Sequence, residues 1–419
     1  MDMKNKKIDY AIEKQFENEY YTAKELQYSN KAGTFLSPLE YKQFLEYKEL
    51  NASENNPCVT LIPLKSFNSK CLYYSQGVDL ISVLNIYMNI VRFDSSFIDR
   101  YSSNFIESRI YSEIEGTLNV ENVPTTRKRL KELLEDNAPA LNKNDIIIKN
   151  MKAGIDFINT LPEFNKDNLL KLYNILSNNC LDEEDGLKEN DYYRYDEVTV
   201  DKYDGCPKNK IGECMDSLFN FVNSVLNNPK SANIIVTLLP HICHYYMIYI
   251  HPYFDYNGRT ARMVSYWVYL LSGLNAFPPI ISEAINQTKA KYYHSIELTR
   301  DSHNDLTYFL KYLLNISIDY VLCYQNLEEI EKSLKKKGLV LTDTELNYVK
   351  RILISYDGYF NYSDFLKFAN VEMSKQGALK QLNKFVNYGI LIEVDNASKT
   401  KLFDVNKDVV LYSLKMLRK

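Results

Sequence analysis

Twelve consecutive residues, His251-Pro252-Tyr253-Phe254-Asp255-Tyr256-Asn257-Gly258-Arg259-Thr260-Ala261-Arg262, carry side chains suited to a phosphate chain and a proton. Histidine can act as a general base near neutral pH, and Asp255 is a hard oxygen ligand for a divalent cation. Arg259 and Arg262, three apart, project from one side of a helix, and guanidinium matches phosphate geometry. The flanking elements position these groups. The apolar run Ile234 to Ile250 reads as a buried helix, and Pro252 cannot continue it and disfavours the α conformation at His251. His251 is therefore expected at a sharp helix-to-loop corner. Gly258 to Arg262 leads into a second apolar helix, Met263 to Leu271, whose start offers unpaired backbone N–H groups and the positive end of a dipole. The implied chemistry is binding of a polyphosphate next to a base.

The stretch resembles the motif of the Fic family, His-Pro-Phe-x-Asp/Glu-Gly-Asn-Gly-Arg-x-x-Arg. Tyr253 stands where the family has Phe, and Tyr256 where it has the first Gly. An aromatic still fills the first slot, whereas a backbone with φ > 0 tolerates Gly far better than Tyr. The related Doc toxins also carry a non-Gly residue there, but have Lys where this chain has Gly258, which points to nucleotidyl rather than phosphoryl transfer. The resemblance implies roles residue by residue. His251 is the catalytic base, and Asp255 holds Mg²⁺. Asn257 and the N–H groups near Gly258 cradle the α-phosphate, while Arg259 and Arg262 hold the β- and γ-phosphates. Tyr292-Tyr293 lies in the segment that closes over adenine. Relatives with an N-terminal inhibitory helix carry Ser/Thr-x-x-x-Glu-Gly/Asn, whose Glu pairs with the second motif arginine. Glu115-Gly116 fits the end of that pattern, with Tyr111 at the Ser/Thr position, so Glu115 is expected to be inhibitory.

Composition sets the frame. The 419 residues suit two or three domains, and 45% hydrophobic with 25% charged residues describes an ordinary globular protein. A net charge of −4 gives no overall basic field for nucleic acid, and seven scattered cysteines without a CxxC pair read as reduced cytosolic residues. No signal peptide is visible and no segment supplies about 20 uninterrupted apolar residues, so a cytoplasmic protein without membrane partners is expected.

Residues 1 to about 33 read as a polar arm, and Ser37-Pro38-Leu39-Glu40 is a capping box opening a helix to about Leu50. Pro57 to Cys71 reads as extended or irregular chain. Helices are expected over Leu80 to Val91 and Ile98 to Ile114, the latter ending with Gly116 as its cap. Further helices follow at Asp145 to Leu161, Leu169 to Asn178 and Glu213 to Leu226. Between them, Tyr192 to Tyr203 alternates before Gly205 and Pro207, a hairpin pattern. By resemblance it is a flap that aligns a target segment by strand addition; otherwise it is a connecting hairpin. His241 and His244 precede His251 on one helix and are read as satisfied core groups rather than metal ligands. A long helix, Leu306 to Glu331, and a charged linker, Ser333 to Gly338, close the core. Beyond it, three helices and a hairpin describe a winged helix with Lys375, Lys380, Lys384, Lys399 and Lys401.

The expected fold is mainly α: a helical N-terminal region with the inhibitory helix (1–120), a helical Fic core with a β-hairpin flap (121–332), and a winged-helix domain (339–419). The expected function is a protein adenylyltransferase moving AMP from ATP, with Mg²⁺, to a Tyr, Ser or Thr hydroxyl of an unidentified target protein. A second copy of the chain is a candidate partner, as is DNA through the winged helix, although contact with protein is the preferred use of that domain. The rival readings are a nucleotide-sensing regulator working through the winged helix, and a Fic enzyme that moves UMP, phosphocholine or phosphate.

Overall fold

The computed structural model describes residues 3–17, 20–29, 32–52, 59–67, 70–92, 103–228, 230–231, 233–274, 281–355, 358–369, 371–394 and 400–410. The chain divides into two compact units, residues 1–316 and 317–419. Helices dominate both, and the strands described form three two-stranded antiparallel hairpins, so the fold is mainly α.

The first unit begins with α1 (Met3–Glu17), α2 (Ala23–Tyr28) and α3 (Pro38–Asn51). The last starts as its sequence dictates: the Ser37 hydroxyl accepts from the Glu40 N–H, and Glu40 reaches back to the Ser37 N–H. The stretch expected to be extended or irregular is extended, forming a hairpin of β1 (Val59–Lys65) against β2 (Cys71–Ser75). Pro63 sits where the register shifts between Ile62 and Lys65, since a residue without an N–H cannot serve a regular ladder. Helix α4 (Val78–Arg92) follows. The N-terminal helices are tied to residues far along the chain. Lys48 Nζ lies 2.6 Å from Asp305, both side chains fully buried, and Tyr20 donates its hydroxyl to the same carboxylate.

Helix α5 (Ser103–Val120) is longer at its C-terminus than its sequence suggests. Gly116 lies inside it rather than capping it. A Cβ at this position would fall 2.5 to 2.6 Å from the backbone of Ser282 and Glu283, so glycine is there to let two helices touch. The αL residue that turns the chain is Asn122, with φ 58°. Expected helix residues 98–102 lie outside the described residues. Then come α6 (Arg127–Leu134), α7 (Lys143–Asn159), α8 (Lys166–Ser177), the short hairpin β3 (Thr199–Val200) and β4 (Tyr203–Asp204), and α9 (Ile211–Leu226). The central pair is α10 (Asn233–Ile250) and α11 (Asn257–Leu271), packed against each other, with Leu238, Ile242, Val264 and Val268 fully buried. After the motif come two helices, α12 (Ile281–Gln287) and α13 (Lys289–Asp301), broken at Thr288.

Helix α14 (Thr307–Lys336) runs through the 316/317 boundary and takes in most of the expected charged linker; its lysines favour a helix C-terminus, and Gly338 provides the αL turn after it. The second unit continues with α15 (Asp343–Ser355), α16 (Tyr362–Ala369), α17 (Lys375–Asn387) and a hairpin of β5 (Leu391–Val394) with β6 (Leu402–Val405). Phe360 exchanges backbone hydrogen bonds with Phe403, adding a third extended segment at the edge. Val349, Ile352, Phe365, Leu382, Phe385 and Phe403 form its core. The turn expected at Asp395-Asn396, and Lys399, lie outside the described residues.

Candidate active site

The site is the loop between α10 and α11. Helix α10 ends at Ile250, and His251 leaves it as the following Pro252 demands, but with φ 54° it takes the left-handed region rather than the extended one usual before proline. Tyr253 is fully buried and stacks on Tyr173 of α8, ring centroids 3.7 Å apart, so the replacement of Phe keeps an aromatic layer under the loop. Asn257 braces the loop: its Oδ1 accepts from the Tyr253 N–H at 3.0 Å and its Nδ2 donates to the Tyr253 carbonyl at 2.8 Å. The side chain expected to hold phosphate thus spends one of its two Nδ2 N–H donors on the backbone, which leaves the other beside the helix-start N–H groups. Tyr256 occupies the N-cap of α11 with φ 67° and ψ 5°, the αL conformation that glycine adopts most readily.

His251 is held from the outside by a residue the sequence reading passed over. Arg194, with its side chain fully buried, donates its Nε to the His251 carbonyl at 2.8 Å, while its backbone N–H bonds to the Pro252 carbonyl at 2.9 Å. It also donates to the carbonyls of Asp196 and Cys206 on either side of the β3–β4 hairpin, tying that hairpin to the corner. Only a lone arginine among tyrosines marks it in sequence. Burial, and then the positive charges of Arg194 and Arg300, lower the His251 pKa to about 4, so its imidazole is neutral at pH 7 and able to accept a proton.

Arg259 and Arg262 are both buried on α11, at 7% and 2% exposure, despite their charge. Arg262 is engaged, but not by Glu115. Its Nη2 lies 2.6 Å from Glu121 Oε1, and its Nε donates to Thr117 Oγ1 at 2.7 Å. Glu115 instead faces Arg127, 3.9 Å away. The physical reason is helical phase. Because α5 continues to Val120, Glu115 sits mid-helix, while Glu121 follows the last turn and reaches over the start of α11. The signal was present: Thr117-Leu118-Asn119-Val120-Glu121-Asn122 carries the full Ser/Thr-x-x-x-Glu-Asn spacing that Tyr111 to Gly116 matches only in part. Burial opposes the Glu121 charge, but Arg262 outweighs it and lowers the pKa below the usual carboxylate range. The carboxylate also presses on the helix start, since a Cβ on Gly258 would fall 2.6 Å from Glu121 Oε1. A side chain at this position would have to displace the Glu121 carboxylate.

Asp255 is half exposed, with Oδ1 accepting from the Tyr256 N–H at 2.5 Å and Oδ2 3.7 Å from Arg259. Its half-exposed carboxylate is the kind of hard oxygen ligand Mg²⁺ takes, one or two at a time, with phosphate oxygens and water completing the shell. Among the described residues no group of three or more His, Cys, Asp or Glu could hold a metal by itself. The two tyrosines expected at adenine differ. Tyr293 is 42% exposed, whereas Tyr292 is a core residue, its hydroxyl 3.0 Å from His244 Nε2 and its ring against Phe309 and Tyr312. An i, i+1 pair on a helix cannot face the same way, so only one could remain open. His244 uses only its Nε2 in that bond and its buried Nδ1 has no partner, nor has either ring nitrogen of buried His241, so the two are core groups but not fully satisfied ones.

Residues 163–269 match the family model for the Fic/DOC family. Over 88 residues the chain is 30% identical to the protein adenylyltransferase Fic of Drosophila virilis, covering 21% of this chain and 17% of that protein. Over 72 residues it is 38% identical to protein adenylyltransferase fic-1 of Caenorhabditis briggsae, covering 17% of this chain and 13% of that protein. The matches thus span less than a fifth of those relatives' length. A solved Fic family protein from Desulfovibrio desulfuricans G20 shares the fold, with a TM-score of 0.50 and 16% identity over 79% of this chain and 97% of that one. This chain carries a Fic/DOC family domain. Among the described residues no helix is long and apolar enough to cross a membrane.

Proposed function

We propose that this chain is a protein adenylyltransferase, moving AMP from ATP to a hydroxyl side chain of a target protein. The observation that supports it most is that the start of α11 already receives an anion. A carboxylate, Glu121, lies against Gly258 and Arg262, where helix N–H groups and a buried guanidinium favour negative charge. The printed names of the relatives, protein adenylyltransferases, support the group transferred.

In this reading the target oxygen attacks the α-phosphorus as the bond to the α,β-bridging oxygen breaks. AMP is left on the target, pyrophosphate departs, and the hydroxyl proton passes to neutral His251. Backbone N–H groups from Gly258 onward face the α-phosphate, and Arg259 and Arg262 hold the terminal phosphates as charge moves onto them. Asp255 would hold Mg²⁺, which supplies charge neutralisation along the phosphates. While Glu121 occupies Arg262, that arginine is not available to the γ-phosphate, so the resting protein is autoinhibited through Glu121.

Intact mass measurement after incubation with Mg-ATP and a protein substrate, or on the chain itself, tests this. Addition of one AMP, absent in His251→Ala while ATP still binds, supports the reading. A different added mass names another group, and binding without transfer in Glu121→Gly points to a nucleotide sensor. For the second unit, protein contact is favoured over DNA, because Lys384 is paired with Glu345 and Lys401 with Glu393 at 2.8 Å, leaving a thin basic surface.

A further inference from the structure

We propose that Tyr256 is a positioning residue that holds Arg259 ready for the terminal phosphates of the nucleotide, a proposal that rests on the polyphosphate reading of the site. The backbone observation comes first. Tyr256 adopts φ 67° at the N-cap of α11, a region costly for a bulky side chain, and at 2% exposure its ring is fully packed. Strain of this kind persists where the surroundings repay it, and it clusters at ligand sites.

Arg259 shows what the ring does. Its guanidinium carbon lies 3.4 Å from the centre of the Tyr256 ring, direct face-on contact. Its Nε and Nη1 are buried without a hydrogen-bond partner, and the nearest carboxylate, Asp255, is 3.7 Å from Nη2, half exposed, and already bonded to a backbone N–H. A guanidinium at 7% exposure would normally be locked to an acid. Here the π face carries the charge, leaving the donors unspent and the fork held in one plane. An incoming phosphate can take those donors against only the long 3.7 Å pairing of Nη2 with half-exposed Asp255. With glycine at 256 the loop would relax, but the guanidinium would lose the surface that orients it. The arrangement also differs from the neighbouring arginine, because Arg262 is occupied by Glu121 and Arg259 is not.

The test uses the full chain with Glu121→Gly, so that both arginines are open, and compares ATP with AMP binding by titration calorimetry. AMP lacks the phosphates that Arg259 reaches and reports the integrity of the loop. Tyr256→Phe should bind both ligands within about twofold of the parent. Tyr256→Leu, which keeps bulk without a π face, should lose about tenfold or more for ATP while AMP is unchanged, as befits a desolvated cation–π contact. Tyr256→Gly, which accepts the αL backbone, gives the same comparison if the leucine variant fails to fold. Unchanged ATP binding in Leu and Gly variants, or equal losses for ATP and AMP, would overturn the proposal while leaving the nucleotide reading intact. Failure of the parent to prefer ATP over AMP would remove the polyphosphate reading and this proposal with it.

Discussion

In the proposed reaction His251 has to be neutral to take a proton, and its surroundings favour that state. With a pKa of about 4 in the free protein it is unprotonated throughout the physiological range. Bound phosphate brings negative charge close to the ring, which favours the imidazolium and raises the pKa in the complex. The acid limb of kcat/KM, which reports the free protein, should therefore fall near pH 4, and that of kcat at higher pH. Coincident limbs near 6.5 would show that burial and the Arg194 and Arg300 charges do not act on the base. The second single-residue outcome separates two glutamates. Glu121→Gly should raise transfer tenfold or more, since about 1.4 kcal/mol of lost Glu121–Arg262 attraction shifts the population tenfold. Glu115→Gly should leave transfer within about twofold, because that carboxylate faces Arg127. Adding Arg262→Ala to Glu121→Gly should cancel the gain, read as label from α-labelled ATP on protein.

Glu121 is only as well placed as the helix that carries it. Helix α5 is held against α12 by two features. Gly116 gives close backbone approach, and Glu113 accepts the Ser282 N–H with both oxygens at 3.0 Å. Gly116→Ala would insert a methyl group into backbone atoms 2.5 to 2.6 Å away. Overpacking of that kind costs roughly 1–3 kcal/mol and would be relieved by moving α5. The variant should melt earlier than the parent and transfer faster, approaching Glu121→Gly. A lower melting temperature with unchanged transfer would show that the α5–α12 seam contributes stability but does not set the position of Glu121. The same dependence of side chain on element holds at the corner, where Arg194 ties the β3–β4 hairpin to the His251 and Pro252 carbonyls.

The first unit as a whole carries a cost in acid. His241 is buried with a pKa lowered to about 4 by desolvation, and buried His244 is shifted well below its ordinary value. Between the unfolded value of about 6.5 and the folded one, the unfolded chain binds the extra protons, so stability falls as pH drops. Above about 6.5 these groups contribute no slope. Each should cost about 1.4 kcal/mol per pH unit within that window. His241 has no hydrogen bonds to lose, so His241→Leu should be near neutral in stability at pH 7.5 and more stable than the parent by roughly 2 kcal/mol at pH 4.5. Urea unfolding at the two pH values measures the difference, and an equal effect of the substitution at both would contradict a neutral buried histidine.

Local chemistry made much of this legible in the sequence. Pro252 alone dictates that His251 leaves the helix, the Ser37–Glu40 capping box and the Ser374 N-cap start their helices where the residue types require, and the apolar runs on either side of the motif can only be buried. What tertiary structure decided are the partnerships between distant residues. The sequence shows two glutamates six apart near one helix end, and periodicity cannot say which reaches Arg262. That depends on Gly116 letting α5 run on against α12 and carry Glu121 over Gly258. Tyr256 reads locally as a bad residue for a glycine position, yet its ring is the surface under Arg259. Tyr292 has the right type for a ligand contact, but burial and His244 claim it first. A side chain's chemistry is local, whereas its freedom to act depends on whether another part of the fold has already satisfied it.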